Sequence, residues 1–195
     1  MASNCVVQQG LSLASCANNV PGISQIWTLT STGDTATFAS ITYGTTGATK
    51  NMVLSVSGAS TGLQFKQIDI VRNSSAALNE DTSINLESLG FTYNTHLLFT
   101  IPGITQNHSD LYEQLVQCTE SYFIVLLKTG KYFLAGHDGG MFVSSATIGS
   151  GSLPGDPQLY SLDLVSNGAS SVPEMYVPTT LTAFLSGSGI TIDSE

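Results

Sequence analysis

Apolar and polar residues alternate along much of this chain with a period of two, which is the spacing of a strand with one buried face. Residues 91–101 show the pattern most clearly, since every second position is apolar or β-branched: Phe91, Tyr93, Thr95, Leu97 and Phe99. Similar patterns or short apolar runs predict further strands at 23–30, 35–43, 52–56, 63–70, 83–87, 132–135, 141–147, 159–165 and 181–185.

The stretch 105–165 breaks this alternation in two places. In residues 106–118, Leu111, Leu115 and Cys118 recur at helical spacing, and Asn107 or Ser109 can cap the helix. Residues 122–127 are apolar on both faces, which predicts a central strand covered by that helix on one side. We expect a two-residue turn at Thr129-Gly130 to return the chain into the next strand.

Together these elements predict a mainly β protein, an antiparallel β-sandwich or barrel with one packed α-helix. The length of 195 residues fits one domain. We assign residues 1–22 to an N-terminal arm, 23–185 to a single β-rich domain and 186–195 to an acidic C-terminal tail.

The net charge of the chain limits the classes of function that the protein can have. Fourteen acids against five bases give a net charge of −9, which argues against gripping nucleic acid through its phosphates. Only 10% of the residues are charged, so the surface is polar but scarcely ionic, and copies of the chain can cover part of it. No apolar run approaches membrane-spanning length, and the N-terminus lacks a basic leader, so we expect folding in the cytoplasm of the producing cell.

The sequence offers little reaction chemistry. Three cysteines form neither a disulfide framework nor a metal-ligand pattern. His137-Asp138 stands in a glycine-rich turn and could serve a nucleophile at Ser144 or Ser145, but turn polarity explains the pair more simply. We therefore predict no enzyme activity and no catalytic, cofactor or metal site.

The succession of motifs in the second half is more specific than any single motif. GKYFLAG stands at 130–136, DGGM at 138–141 and GDPQLYSL at 155–162, after two long strands and a helix. Over residues 60–178 this order resembles the tail tube, or major tail, proteins of tailed phages that infect Bacteroidetes. Pro157 and Gln158 depart from the Gly/Asn-like loop of that pattern.

The resemblance implies a phage tail-tube-like fold and a virion protein made in the host bacterial cytoplasm. It implies homo-oligomeric, usually hexameric, rings that stack into a tube for DNA ejection, with other tail or neck proteins as partners. The acidic charge then lets DNA pass without specific binding, and no membrane is involved. We expect contacts between subunits or rings at Trp27, Gly44, Thr45, Thr46, Gly47, Lys50, Tyr132 and Tyr160.

Alternatives remain within and outside this class. A neck or tail terminator ring or a head decoration protein would share the virion context. A glycan-binding β-module of a fibre is a different kind of protein, supported by Trp27 and the tyrosines.

Overall fold

The computed structural model of the protein describes residues 21–31, 36–60, 62–70, 76–85, 90–151, 153 and 156–193. It is mainly β with curled sheets, which confirms the predicted β-sandwich class with a packed helix. The described strands, in chain order, are β1 (Ile23–Ser31), β2 (Phe38–Tyr43), β3 (Val53–Gly58), β4 (Leu63–Ile68), β5 (Ala77–Asn85), β6 (Gly90–Pro102), β7 (Phe123–Leu127), β8 (Tyr132–Ala135), β9 (Phe142–Gly149), β10 (Leu159–Gly168), β11 (Glu174–Met175) and β12 (Ile190–Asp193). The two described α-helices are α1 (Gln106–Gln117) and α2 (Leu181–Leu185).

Eight strands form one sheet in the order β12-β4-β1-β7-β8-β11-β3-β2, and four form a second sheet in the order β5-β6-β10-β9. The larger sheet curls on itself. The ring of Phe38 on the edge strand β2 lies 6.2 Å from that of Phe65 on β4, near the other edge. The Gly58 N–H at the end of β3 also donates to the Ser188 carbonyl, just before β12, at 2.9 Å.

The curled sheet encloses one hydrophobic core. Its interior buries Trp27, Phe65 and Ile124, and α2 contributes Leu181 and Leu185. The helix forms because these two leucines, four residues apart, share one face, while the Thr180 side chain accepts a hydrogen bond from the Ala183 N–H.

A second core lies between the outer face of the curled sheet and the four-stranded sheet. Phe123 of β7 meets Phe99 of β6 there, with ring centroids 6.3 Å apart. Strand β7 thus lies between β1 and β8 with both faces buried, as its apolar run predicts. The four-stranded sheet covers it directly, and α1 lies against β9, with the ring of Tyr112 on that of Tyr160 in β10.

Two local predictions in this region are wrong. Thr105 caps α1, since its side chain accepts from the His108 N–H at 3.3 Å, and Cys118 is exposed just beyond the last turn. The β7–β8 connection is a three-residue loop, in which the Leu127 N–H donates to Lys131 and the Gly130 N–H donates to Leu127. Gly130 adopts φ 84°, the left-handed conformation of a bulged hairpin.

The ends of several elements also differ from the sequence predictions. Residues 181–185, predicted as a strand, form α2, and residues 190–193 of the predicted tail form β12, which pairs in parallel with β4. Strand β5 begins at Ala77, earlier than the predicted residue 83. Residues 1–20 of the predicted arm and 194–195 of the tail lie outside the described residues.

Two glycine substitutions should separate backbone conformation from steric clash. At Gly130 (φ 84°) an added Cβ meets nothing within 4 Å, so Gly130→Ala should cost about 1–2 kcal/mol of unfolding free energy. At Gly136 (φ 82°) the Cβ would lie 2.8 Å from the Ser121 carbonyl oxygen, so Gly136→Ala should cost about 3 kcal/mol or more. Urea denaturation measures both, and equal losses would contradict the predicted clash.

Candidate functional site

Several loops meet at one end of the sandwich, and Glu80 connects two of its parts. Glu80 lies on the inner face of β5, opposite Thr95 of β6. One carboxylate oxygen accepts from the Ser171 hydroxyl and the other from the Val172 N–H, both at 2.7 Å. The carboxylate therefore fixes the segment that follows β10 against the β5–β6 hairpin.

The glycine-rich turn after β8 reaches the same segment. His137 Nε2 and Ser170 Oγ form a hydrogen bond of 2.9 Å, and the Asp138 carboxylate accepts from the Ala169 N–H at 2.8 Å. The ring of Tyr43, at the end of β2, stands edge-on to His137 at 6.4 Å. Contacts thus run continuously from the β2–β3 connection to Glu80.

Burial and nearby charge shift the pKa in opposite directions at His137 and in the same direction at Tyr43. Desolvation lowers the pKa of His137 below its ordinary value of 6.5, while the nearby Asp138 and Glu80 carboxylates work against that change. Desolvation also raises the pKa of Tyr43, and the Asp138 charge adds to this effect.

The Ser170–His137 pair has part of the geometry of an activated serine. A catalytic triad needs an acid that orients the second imidazole nitrogen. Here Asp138 is bonded to Ala169, and no described residue hydrogen-bonds His137 Nδ1. The pair therefore ties two loops together. Its serine is Ser170, 33 residues away, and neither Ser144 nor Ser145.

A pocket of about 240 Å³ opens beside Glu80, between the two sheets. Its apolar walls come from both sheets and from the segment after β10: Leu78, Leu127, Phe133 and Val172. Asn79, Glu80 and Ser171 add polar groups to this lining. The pocket can take an apolar group that carries a hydrogen-bond donor.

Beyond Glu80 the β5–β6 hairpin projects as a two-stranded ribbon. The last β10 partner of β6 is Gly168, opposite Tyr93. Past that pair the inner face carries Ile84 and Phe91, directly opposite each other and 66% and 56% exposed. The Phe91 ring packs edge-on against Tyr93 at 5.8 Å. We name Ile84, Phe91 and Tyr93 the ribbon surface.

Five of the residues predicted to form contacts lie on the β2–β3 connection. Gly44 is buried there, and any larger residue would place its Cβ 2.0 Å from the Thr49 carbonyl oxygen. A short 3-10 helix, Gly47–Thr49, forms the tip. Four of the five predicted residues are exposed: Thr45, Thr46, Gly47 and Lys50.

The three predicted aromatic residues lie elsewhere. Trp27 and Tyr160 are 6% and 2% exposed and pack in the two different cores, so they stabilise the protomer in this fold and do not lie on its outer surface. Tyr132 is half-buried, with its ring 6.3 Å from that of Trp27.

Sequence reasoning missed the ribbon surface and Glu80. The alternation in 91–101 correctly predicts that Phe91 is on the same face of the strand as the core residues. It does not show that the opposite sheet ends before it reaches Phe91. Glu80 lies between the strands predicted at 63–70 and 83–87, outside both of them.

Two further properties bear on the chemistry. Among the described residues, no cluster of three or more His, Cys, Asp or Glu is placed to hold a metal ion. In the same part of the chain, no helix has the length and apolar character needed to cross a membrane.

Comparison with known proteins finds no matching family model, no matching curated protein and no matching solved structure.

The lowered pKa of His137 makes stability depend on pH in a definite direction. Between the folded pKa and 6.5 the unfolded chain binds more protons, so stability present above pH 6.5 should fall as the pH drops through this window. His137→Gln should reduce that loss when urea unfolding is compared at about pH 7.5 and about pH 5.5. An unchanged pH dependence in His137→Gln would disprove the assignment.

Proposed function

We propose that the chain is the protomer of a phage tail tube, a virion protein that forms homo-oligomeric rings stacked into a channel for DNA. The observation that supports this proposal is the ribbon surface. Ile84 and Phe91 lie on the same face of the hairpin as the buried core, yet they are 66% and 56% exposed in the single chain. Full burial of such side chains gains roughly 1.5–3 kcal/mol each. Association of subunits would bury the side chains of Ile84 and Phe91.

The ribbon also offers backbone hydrogen bonds for assembly. Strand β5 is an edge of the four-stranded sheet, and past Tyr93 the described part of β6 pairs with β5 alone. Exposed edges invite pairing with another chain, and closure of a ring removes them. A ribbon with open edges and one apolar face therefore suits contacts between identical subunits.

The charge suits a channel for DNA. A net charge of −9 per chain repels phosphates, so DNA would slide past such a wall without binding to it. In this proposal the protein is made in the bacterial cytoplasm and resides in the virion tail, with neck and tail proteins as partners.

Other roles make different predictions. A neck or terminator ring would assemble as single rings, and a decoration protein would bind only capsids. A glycan-binding module has one observation in its favour, the partly exposed aromatic rings of Tyr43 and Phe91 near the Glu80 end of the sandwich. Such a module would remain a small oligomer and bind sugars.

Negative-stain electron microscopy of the purified protein at rising concentration tests the proposal. Hollow tubes or stacked rings with a central hole are the expected result. Uniform small particles at every concentration would overturn it and direct the next measurements to capsid and glycan binding.

Loss of the ribbon surface should weaken assembly without unfolding the protomer. Ile84→Ser removes an exposed side chain, so the thermal midpoint should change little, while the dissociation constant for self-association should rise about tenfold or more. Ile148→Ser is the matched control, because Ile148 on β9 is 55% exposed and lies outside the ribbon. Sedimentation velocity measures both variants, and equal effects would show that the ribbon is not the contact.

A further inference from the structure

The pocket beside Glu80 combines apolar walls with an anion of fixed orientation. Ser171 and Val172 each donate to one Glu80 oxygen, so the carboxylate cannot rotate freely. A carboxylate offers about four acceptor positions, and these two bonds leave the others open. No described Lys or Arg side chain forms an ion pair with Glu80. The pocket is therefore complementary to a hydrocarbon chain that ends in a cation, which describes a lysine side chain.

The chain has few cations that could fill it. Of the four described bases, Lys66 and Lys131 already approach acids, Asp193 at 4.0 Å and Glu174 at 2.8 Å. Lys128 forms no ion pair with a described residue either, but its side chain lies along Gly22. Arg72 lies outside the described residues, so Lys50 remains among the described bases; it is exposed at the β2–β3 connection and forms no ion pair with a described residue.

Position also favours Lys50. The contacts from Tyr43 through His137 to the segment held by Glu80 place the β2–β3 connection and the pocket at the same end of the sandwich. In a ring whose axis runs along the sandwich, rotation about that axis leaves every residue at its own height. Two surfaces at the same height can therefore meet between neighbours in a head-to-tail ring.

We propose that the pocket receives the side chain of Lys50 from a neighbouring copy of this chain, with its ammonium group bound to the Glu80 carboxylate. The aliphatic part of Lys50 would lie against Leu78, Leu127 and Phe133. The proposal rests on the self-assembly proposed above and adds a specific contact to it. In a chain with only five bases against 14 acids, such a contact also fixes which surfaces of two acidic subunits can meet.

Carbodiimide cross-linking tests the contact directly, because this reagent joins an amine and a carboxylate that already touch. An equal mixture of isotope-labelled and unlabelled full-length protein is assembled, cross-linked and digested, and mass spectrometry identifies the joined peptides. A Lys50–Glu80 link between labelled and unlabelled chains is expected. Lys50→Arg is the matched control, which keeps the charge and the assembly but cannot form the amide.

Charge reversal provides the second measurement. Lys50→Glu should raise the dissociation constant on the order of tenfold, because it would place a second carboxylate against Glu80. Glu80→Gln removes the charge but keeps one acceptor oxygen for the Val172 N–H, and its NH2 group can donate to the Ser171 hydroxyl oxygen, so it should weaken association with little change in the thermal midpoint. Lys66→Glu controls for the change in net charge.

The outcomes separate the two proposals. Assembly without a Lys50–Glu80 link, or association of Lys50→Glu no weaker than that of the Lys66→Glu control, overturns the pocket contact and leaves the tail-tube function standing. Failure of the wild-type chain to assemble at any concentration overturns both.

Discussion

Two hydrophobic cores share one set of strands in this protein, and this shared wall constrains the rest of the fold. Along β7 consecutive residues face alternately into the two cores, with Phe123 and Val125 on one side and Ile124 on the other. Such a strand tolerates no charged residue on either face, and its pairing register is fixed from both sides. The curled sheet and the four-stranded sheet are therefore positioned relative to each other by the same backbone.

The open end of the sandwich follows from unequal strand lengths around that wall. Strand β6 has 13 residues, more than its neighbours can cover, so the hairpin extends beyond the core. The turn after β8 and the segment after β10 meet beneath it, where the hydrogen bonds of Glu80 and His137 hold them. Along one continuous face, the packed core is thus followed by the pocket and then by the exposed apolar surface.

The fold class can be predicted from the sequence because the fold class depends on local periodicity. It predicts the face of Phe91 but not its exposure, which depends on where another sheet ends. Leu181, Ala183 and Leu185 fit a strand, yet the two leucines equally fit one helix face, and tertiary packing decides. The Glu80–Ser171 bond joins residues 91 positions apart, so no local pattern could reveal the candidate site. The resemblance to tail tube proteins suggests a function but did not indicate the ribbon surface or the pocket.

The parallel pairing of β12 with β4 has a consequence for synthesis. Ile190 pairs with Leu63, so one flank of β4 stays without its partner while well over a hundred further residues are translated. The curled sheet can close only after residues up to Asp193 have left the ribosome. A chain that is interrupted before that point leaves this flank of β4 unpaired. Completion of the curled sheet therefore depends on a strand that is translated late, long after the strand with which it pairs.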